Sequence, residues 1–240
     1  MSQGHREDEA LLRVKRFTSR VKELVDRVSA SDLIDQAGVN PYLAKALGFR
    51  TIGEVVEFAI NRRAERSLGT SFGNVLDDTV RLLLGGVKGR DVAKATGAKW
   101  MDWWDVALVD KKAVMSVKSG PADMDKDQVM YFAQRAREAE KNGYRPYLVF
   151  AYGKQAFGVI ETYLVHNGLS TEKYLRIGKS IFGEFLGDPS YYEKALALFD
   201  AAGKDVGDLF TLVEEKSSAV TKELEAKYGG DLDKMLRDMF

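Results

Sequence analysis

Trp103-Trp104-Asp105-Val106-Ala107-Leu108-Val109, then Asp110-Lys111-Lys112, then Ala113-Val114-Met115-Ser116-Val117-Lys118-Ser119-Gly120-Pro121, is the stretch on which the fold turns. Two apolar runs flank a short charged connection, which is the pattern of neighbouring strands joined by a turn. Paired strands lie about 5 Å apart, so a tight turn brings the carboxylate of Asp105 and the ammonium of Lys118 toward one edge. A carboxylate there can hold a divalent cation against a phosphodiester. A lysine beside it can orient or help deprotonate an attacking water and offset phosphate charge.

Upstream, the spacing of Leu76, Val80, Leu83 and Leu84 predicts a helix from about Gly73 to Leu84, ended by Gly85-Gly86. Asp77 lies about 100° round that helix from Leu76, while Asp78 lies near the opposite side. Asp77 is therefore the acid better placed to look along the edge of a packed sheet. Downstream, the pattern predicts a helix over 128–141, an apolar strand over 146–152 and another extended segment over 156–165.

Further out, the chain turns helical on both sides. Residues 1–8 read as a polar tail. Leu11, Val14, Val21, Leu24 and Val28 mark a buried helical stripe, and Pro41 suits a first helical position after Asn40. A helix from about Ile52 to Glu65 is followed by Ser67-Leu68-Gly69-Thr70-Ser71, which reads as a loop. Beyond the strands, helices are predicted over 180–186, 190–201, 206–212, 217–227 and 232–240. The expected organisation is a tail (1–8), a helical subdomain (9–70), an α/β core (71–165) and a helical C-terminal lobe (166–240). The fold class is α/β, a mixed central sheet flanked by helices with helical additions at both ends.

Composition narrows the chemistry. The 240 residues carry 36 basic and 36 acidic side chains, so the formal net charge is zero, and they include no cysteine. Disulfides, thiolate catalysis and cysteine zinc sites are excluded. His5 and His166 are the only histidines, which argues against a histidine-rich metal centre or a serine, histidine, acid triad. A metal in this chain should be a hard cation held by oxygen, such as Mg²⁺. Neutrality argues against a coating protein but leaves room for a local basic cleft, for which Arg62, Arg63, Arg66, Lys88, Arg90, Lys94, Lys126 and Arg135 are candidates. Gly85-Gly86-Val87-Lys88-Gly89-Arg90 lacks the spacing of a phosphate-binding loop and reads as a helix exit. With no long apolar stretch and no apolar signal core, the expectation is a cytoplasmic protein without membrane contact. Trp100, Trp103 and Trp104 are expected as core or interface anchors.

The hairpin and its surroundings resemble the PD-(D/E)XK nuclease superfamily. Asp105 matches its first acid and Ser116-Val117-Lys118 its second motif. Ser119-Gly120-Pro121, with Met124 to Gln128 leading into a helix, looks like the extension found in some type II restriction endonucleases. The resemblance extends, more weakly, from about Ser71 to Gly153. It implies a restriction-endonuclease-like fold and Mg²⁺-dependent, sequence-specific hydrolysis of double-stranded DNA, with a homodimer for a palindromic target. Ser116 departs from the family pattern, because a hydroxyl stands where a carboxylate is usual. The missing acid would come from Asp77, since the helix before the hairpin often contributes one, or from Glu138, since relatives with serine here take one from the following helix. Asp110 is a third candidate, at the turn. The implied metal ligands are Asp105, the Val117 carbonyl and Asp77 or Glu138, with Lys118 positioning the water and Ser116 as a further catalytic candidate. A repair or recombination nuclease, or a noncatalytic DNA-binding module with the same fold, are the competing expectations.

Overall fold

The computed structural model describes residues 2–35, 39–120, 122, 124–156 and 158–239, apart from the side chains of Ser67, Thr70 and Val206. In chain order the elements are α1 (Gln3–Asp26), α2 (Ala30–Asp35), α3 (Pro41–Ala46), α4 (Ile52–Leu84), α5 (Gly89–Thr96), β1 (Val106–Leu108), β2 (Ala113–Lys118) and α6 (Lys126–Lys141). They continue with β3 (Arg145–Phe150), α7 (Gly158–His166), α8 (Thr171–Tyr174), β4 (Leu175–Ile177), α9 (Ser180–Leu186), α10 (Tyr191–Val206), α11 (Leu209–Tyr228) and α12 (Leu232–Arg237). They divide into two compact units, one formed by residues 1–14 and 72–201, the other by 15–71 and 202–240. The expected core segment 71–165 lies almost wholly in the first unit, which also takes in 166–201.

The first unit is built on a mixed sheet in the order β1-β2-β3-β4. β1 runs antiparallel to β2, while β2 to β3 and β3 to β4 are parallel. Side chains of β2 alternate between two cores, as the strand period of two requires. Met115 and Val117 pack with Val80, Leu83 and Leu84 of α4 and with Phe182 and Phe185 of α9. Val114 packs on the other face with Phe132, Ala133 and Ala136 of α6 and Ile160 and Leu164 of α7. Every residue of β2 except Lys118 is buried, which is why the strand reads as a nearly continuous apolar run. The second unit is helical. Val25, Leu33, Ile52, Val56 and Ile60 close its core with Val220, Leu224, Met235 and Leu236.

Several expectations change against this structure. α1 begins at Gln3, so the polar start expected as a tail is already helical there. No loop interrupts α4 at Ser67 to Ser71, and the helix runs unbroken from Ile52 to Leu84; an interior glycine costs a helix only about 1 kcal/mol, too little to break one anchored by core residues at both ends. The segment expected to be extended over 156–165 is helical as α7, where Ile160 and Leu164 are buried one turn apart while Val159 and Val165 are exposed. Burial on a 3.6-residue period overrides the strand preference of its β-branched residues. The helices expected at 206–212 and 217–227 are largely one, α11, whose N-terminus is capped by the Asp208 carboxylate accepting from Phe210 N–H at 2.9 Å. β4, only three residues long, gave no sequence signal.

Phe132 is fully buried and its ring lies 6.1 Å from that of Trp104. Phe132→Ala should destabilise the sheet-bearing unit by about 3–5 kcal/mol, read by urea unfolding with tryptophan fluorescence, since all three tryptophans lie in that unit.

Candidate active site

A cleft of about 210 Å³ opens where α4, the chain leaving it and the start of β1 meet. Asn74, Asp77 and Asp78 line it from α4, Lys88 and Arg90 from the following segment, and Asp102, Trp103, Trp104 and Asp105 from the approach to β1. The chain leaves α4 through Gly85 in the left-handed region (φ 73°), and Val87 then bridges Ala107 in antiparallel fashion. That bridge sets the C-terminal turns of α4 against the edge strand, so acids on α4 and on β1 share one opening.

Asp105 is fixed by the strand beside it. β1 and β2 pair Val106 with Met115, and the Asp105 N–H donates to the Met115 carbonyl at 3.0 Å. Its Oδ2 accepts from Val117 N–H at 2.8 Å and from the Ser116 hydroxyl at 3.3 Å. The N–H and C=O of a strand residue point to the same side, so the Val117 carbonyl also faces the Asp105 side. Ser116 is buried, and its hydroxyl is a positioning donor to the acid. Lys118, two residues on, shares the strand face of Ser116, and its charge acts on both Asp105 and Asp77.

The electrostatics of the two acids are coupled. Burial, and then the negative charge of Asp105, push the Asp77 carboxyl up to about 7, with Lys118 and Lys88 opposing. Burial also raises Asp105, against the Val117 N–H, the Lys118 ammonium and the Ser116 hydroxyl. Two carboxylates in poorly hydrated surroundings resist being charged together unless a cation joins them. Asp78 behaves differently: burial alone would raise it, but Lys88 and Arg81 outweigh burial and hold its carboxyl below the usual range.

The other candidates lie elsewhere. Glu138 sits on α6 and accepts from Arg135 at 2.8 Å; Arg135 also donates to the Tyr131 hydroxyl, and Tyr131 stacks edge-on against Trp103 at 5.5 Å. Glu138 is thus an ion-pair partner on the helix face and does not line the cleft. Asp110 is exposed at the turn, at the opposite end of β1 from Asp105. Pro121 lies outside the described residues. Of the basic series, Lys88 and Arg90 reach the cleft, while Arg62, Arg63 and Arg66 belong to the helical unit. Trp104 is a core residue, and Trp103 is half-buried at the cleft wall. Among the described residues no group of three or more histidine, cysteine or acidic side chains is arranged to hold a metal. No protein-family model and no curated protein sequence matches the chain.

The sequence reading missed the anchoring of Lys88 by Asp78. The sequence named Lys88 only as one of a dispersed basic series, in a segment read as a helix exit.

The raised Asp77 carboxyl fixes a pH dependence. The folded chain keeps that proton until about pH 7, whereas the unfolded chain loses it near the ordinary aspartate value of about 3.9. Stability from this residue is therefore full below the unfolded value and is lost as pH rises toward 7, because the folded state binds more protons across that window. Asp77→Asn should stabilise the sheet-bearing unit, and by roughly 2 kcal/mol more at pH 8 than at pH 5. Urea unfolding at the two pH values checks this, and an equal effect at both would contradict it.

Proposed function

We propose that the cleft is the active site of a Mg²⁺-dependent, sequence-specific endonuclease of double-stranded DNA, built on a restriction-endonuclease-like core. The observation that carries the reading is the convergence of Asp77 and Asp105 on one opening, with the Lys118 charge acting on both. The helix before the antiparallel strand pair, and the helix and parallel strand after it, support it further.

The donor set fits a hard cation. Mg²⁺ binds through one or two carboxylates and keeps several waters; Asp77, Asp105 and the Val117 carbonyl would hold it here. When bound, it supplies positive charge that offsets the charge growing on the phosphate and on the leaving oxygen. Lys118 orients a water for in-line attack on phosphorus and adds a donor for the non-bridging oxygens. Ser116 and the Val117 N–H keep the Asp105 carboxylate from rotating away, which explains how a hydroxyl serves at the position of the usual second acid. Asp77 supplies the missing carboxylate, because Glu138 is engaged by Arg135. Two copies related by a two-fold axis would present one cleft to each strand of a palindromic site.

Incubation of the purified chain with long mixed-sequence DNA and Mg²⁺, followed by sequencing of the ends, tests the reading. Discrete fragments are expected. A smear would indicate a less selective nuclease of the repair or recombination kind, and binding without cleavage in Mg²⁺ or Mn²⁺ would contradict catalysis. Asp105→Ala and Lys118→Ala should each lower cleavage at least about 100-fold with the circular dichroism spectrum kept. Asp77→Ala should cost far more activity than Glu138→Ala, and the reverse order would transfer the second acid to α6.

A further inference from the structure

Lys88 is placed more firmly than a surface lysine needs to be. Its neighbours on both sides are locked to the approach of β1: Val87 N–H donates to the Ala107 carbonyl at 3.0 Å, Ala107 N–H returns a bond at 2.7 Å, and Gly89 N–H donates to the Trp104 carbonyl at 3.0 Å. Only glycine fits at Gly86 and Gly89. A Cβ at Gly86 would stand 2.6 Å from Val106 Cγ1, and one at Gly89 would stand 2.2 Å from the Met101 carbonyl oxygen. The backbone of Lys88 is thereby pressed against the sheet edge, at the cleft wall.

The side chain is fixed as well. Its Nζ lies 2.8 Å from Asp78 Oδ1. Asp78 also meets Arg81 at 3.2 Å and Arg13 at 3.7 Å, so one buried carboxylate faces three cations. Arg13 has Glu9 at 3.4 Å as a second acid, and Arg81 donates to the Gly86 carbonyl at 3.5 Å. Of the three cations Lys88 is the one that lines the cleft, a third of its side chain is exposed, and its charge acts on both Asp77 and Asp105. An ammonium has three donors, and Asp78 takes one.

We infer that Lys88, aimed by Asp78, is a phosphate-binding residue of the cleft that grips the backbone of the nucleic acid beside Asp105. The inference rests on the endonuclease reading and adds to it a second cation, separate from Lys118. Neutralising one phosphate releases bound counterion, so such a contact contributes about 0.9 to the slope of log affinity against log salt.

The test is fluorescence anisotropy of a labelled mixed-sequence duplex with the full chain across a salt series, with Ca²⁺ in place of Mg²⁺. Lys88→Met, which keeps the apolar stem, should weaken binding about 3- to 10-fold at low salt and flatten the slope by about 0.9. Lys88→Arg should restore both. If the wild type binds and Lys88→Met binds with the same affinity and slope, the inference fails and the endonuclease reading stands, even where the variant is less stable. If the wild type binds no duplex, both fall.

Discussion

Asp77 and Asp105 are held at one partly buried opening where neither is fully hydrated, and the architecture of the sheet-bearing unit keeps both there. Asp105 is tied to β2 by the Val117 N–H and the Ser116 hydroxyl. Asp77 is carried by α4, whose following turns pack through Val80, Leu83 and Leu84 onto the sheet. The chain leaving α4 is then bonded to β1 through Val87. Releasing the repulsion would require breaking a strand contact or lifting a helix from its core.

Such an arrangement costs stability, and proteins retain such sites where a ligand relieves them. The contrast between adjacent acids makes the point. Asp78 is held below the ordinary carboxylate range because Lys88 and Arg81 meet it. Asp77 has Asp105 across the opening and only partial relief from Lys118 and Lys88. One helical turn therefore carries side by side an acid met by cations and one faced by another acid, both lining the same cleft. No helix among the described residues is long and apolar enough to cross a membrane.

Much of this was legible in the residues because it depends on short-range periodicity. The apolar runs around Asp110-Lys111-Lys112 predict β1 and β2 as neighbouring strands, and they pair antiparallel. The facing of Asp77 away from Leu76 followed from the helical angle alone. What escaped the reading depends on distant contacts. Gly69 marks a loop only when the core residues on either side are unknown, and the valines of α7 suggest a strand until Ile160 and Leu164 are seen buried together. The ion pair of Lys88 with Asp78 depends on the meeting of α4 with the edge of β1, which no local pattern encodes.

Asp77, Asp105 and the Val117 carbonyl are proposed to form one cation site. A crystal structure grown with Mn²⁺ above pH 7, with anomalous scattering recorded at the manganese edge, tests it most directly. The account predicts a peak between the two carboxylates and within bonding distance of the Val117 oxygen. An empty cleft under those conditions, or a peak bound by Glu138 without Asp77, would contradict it.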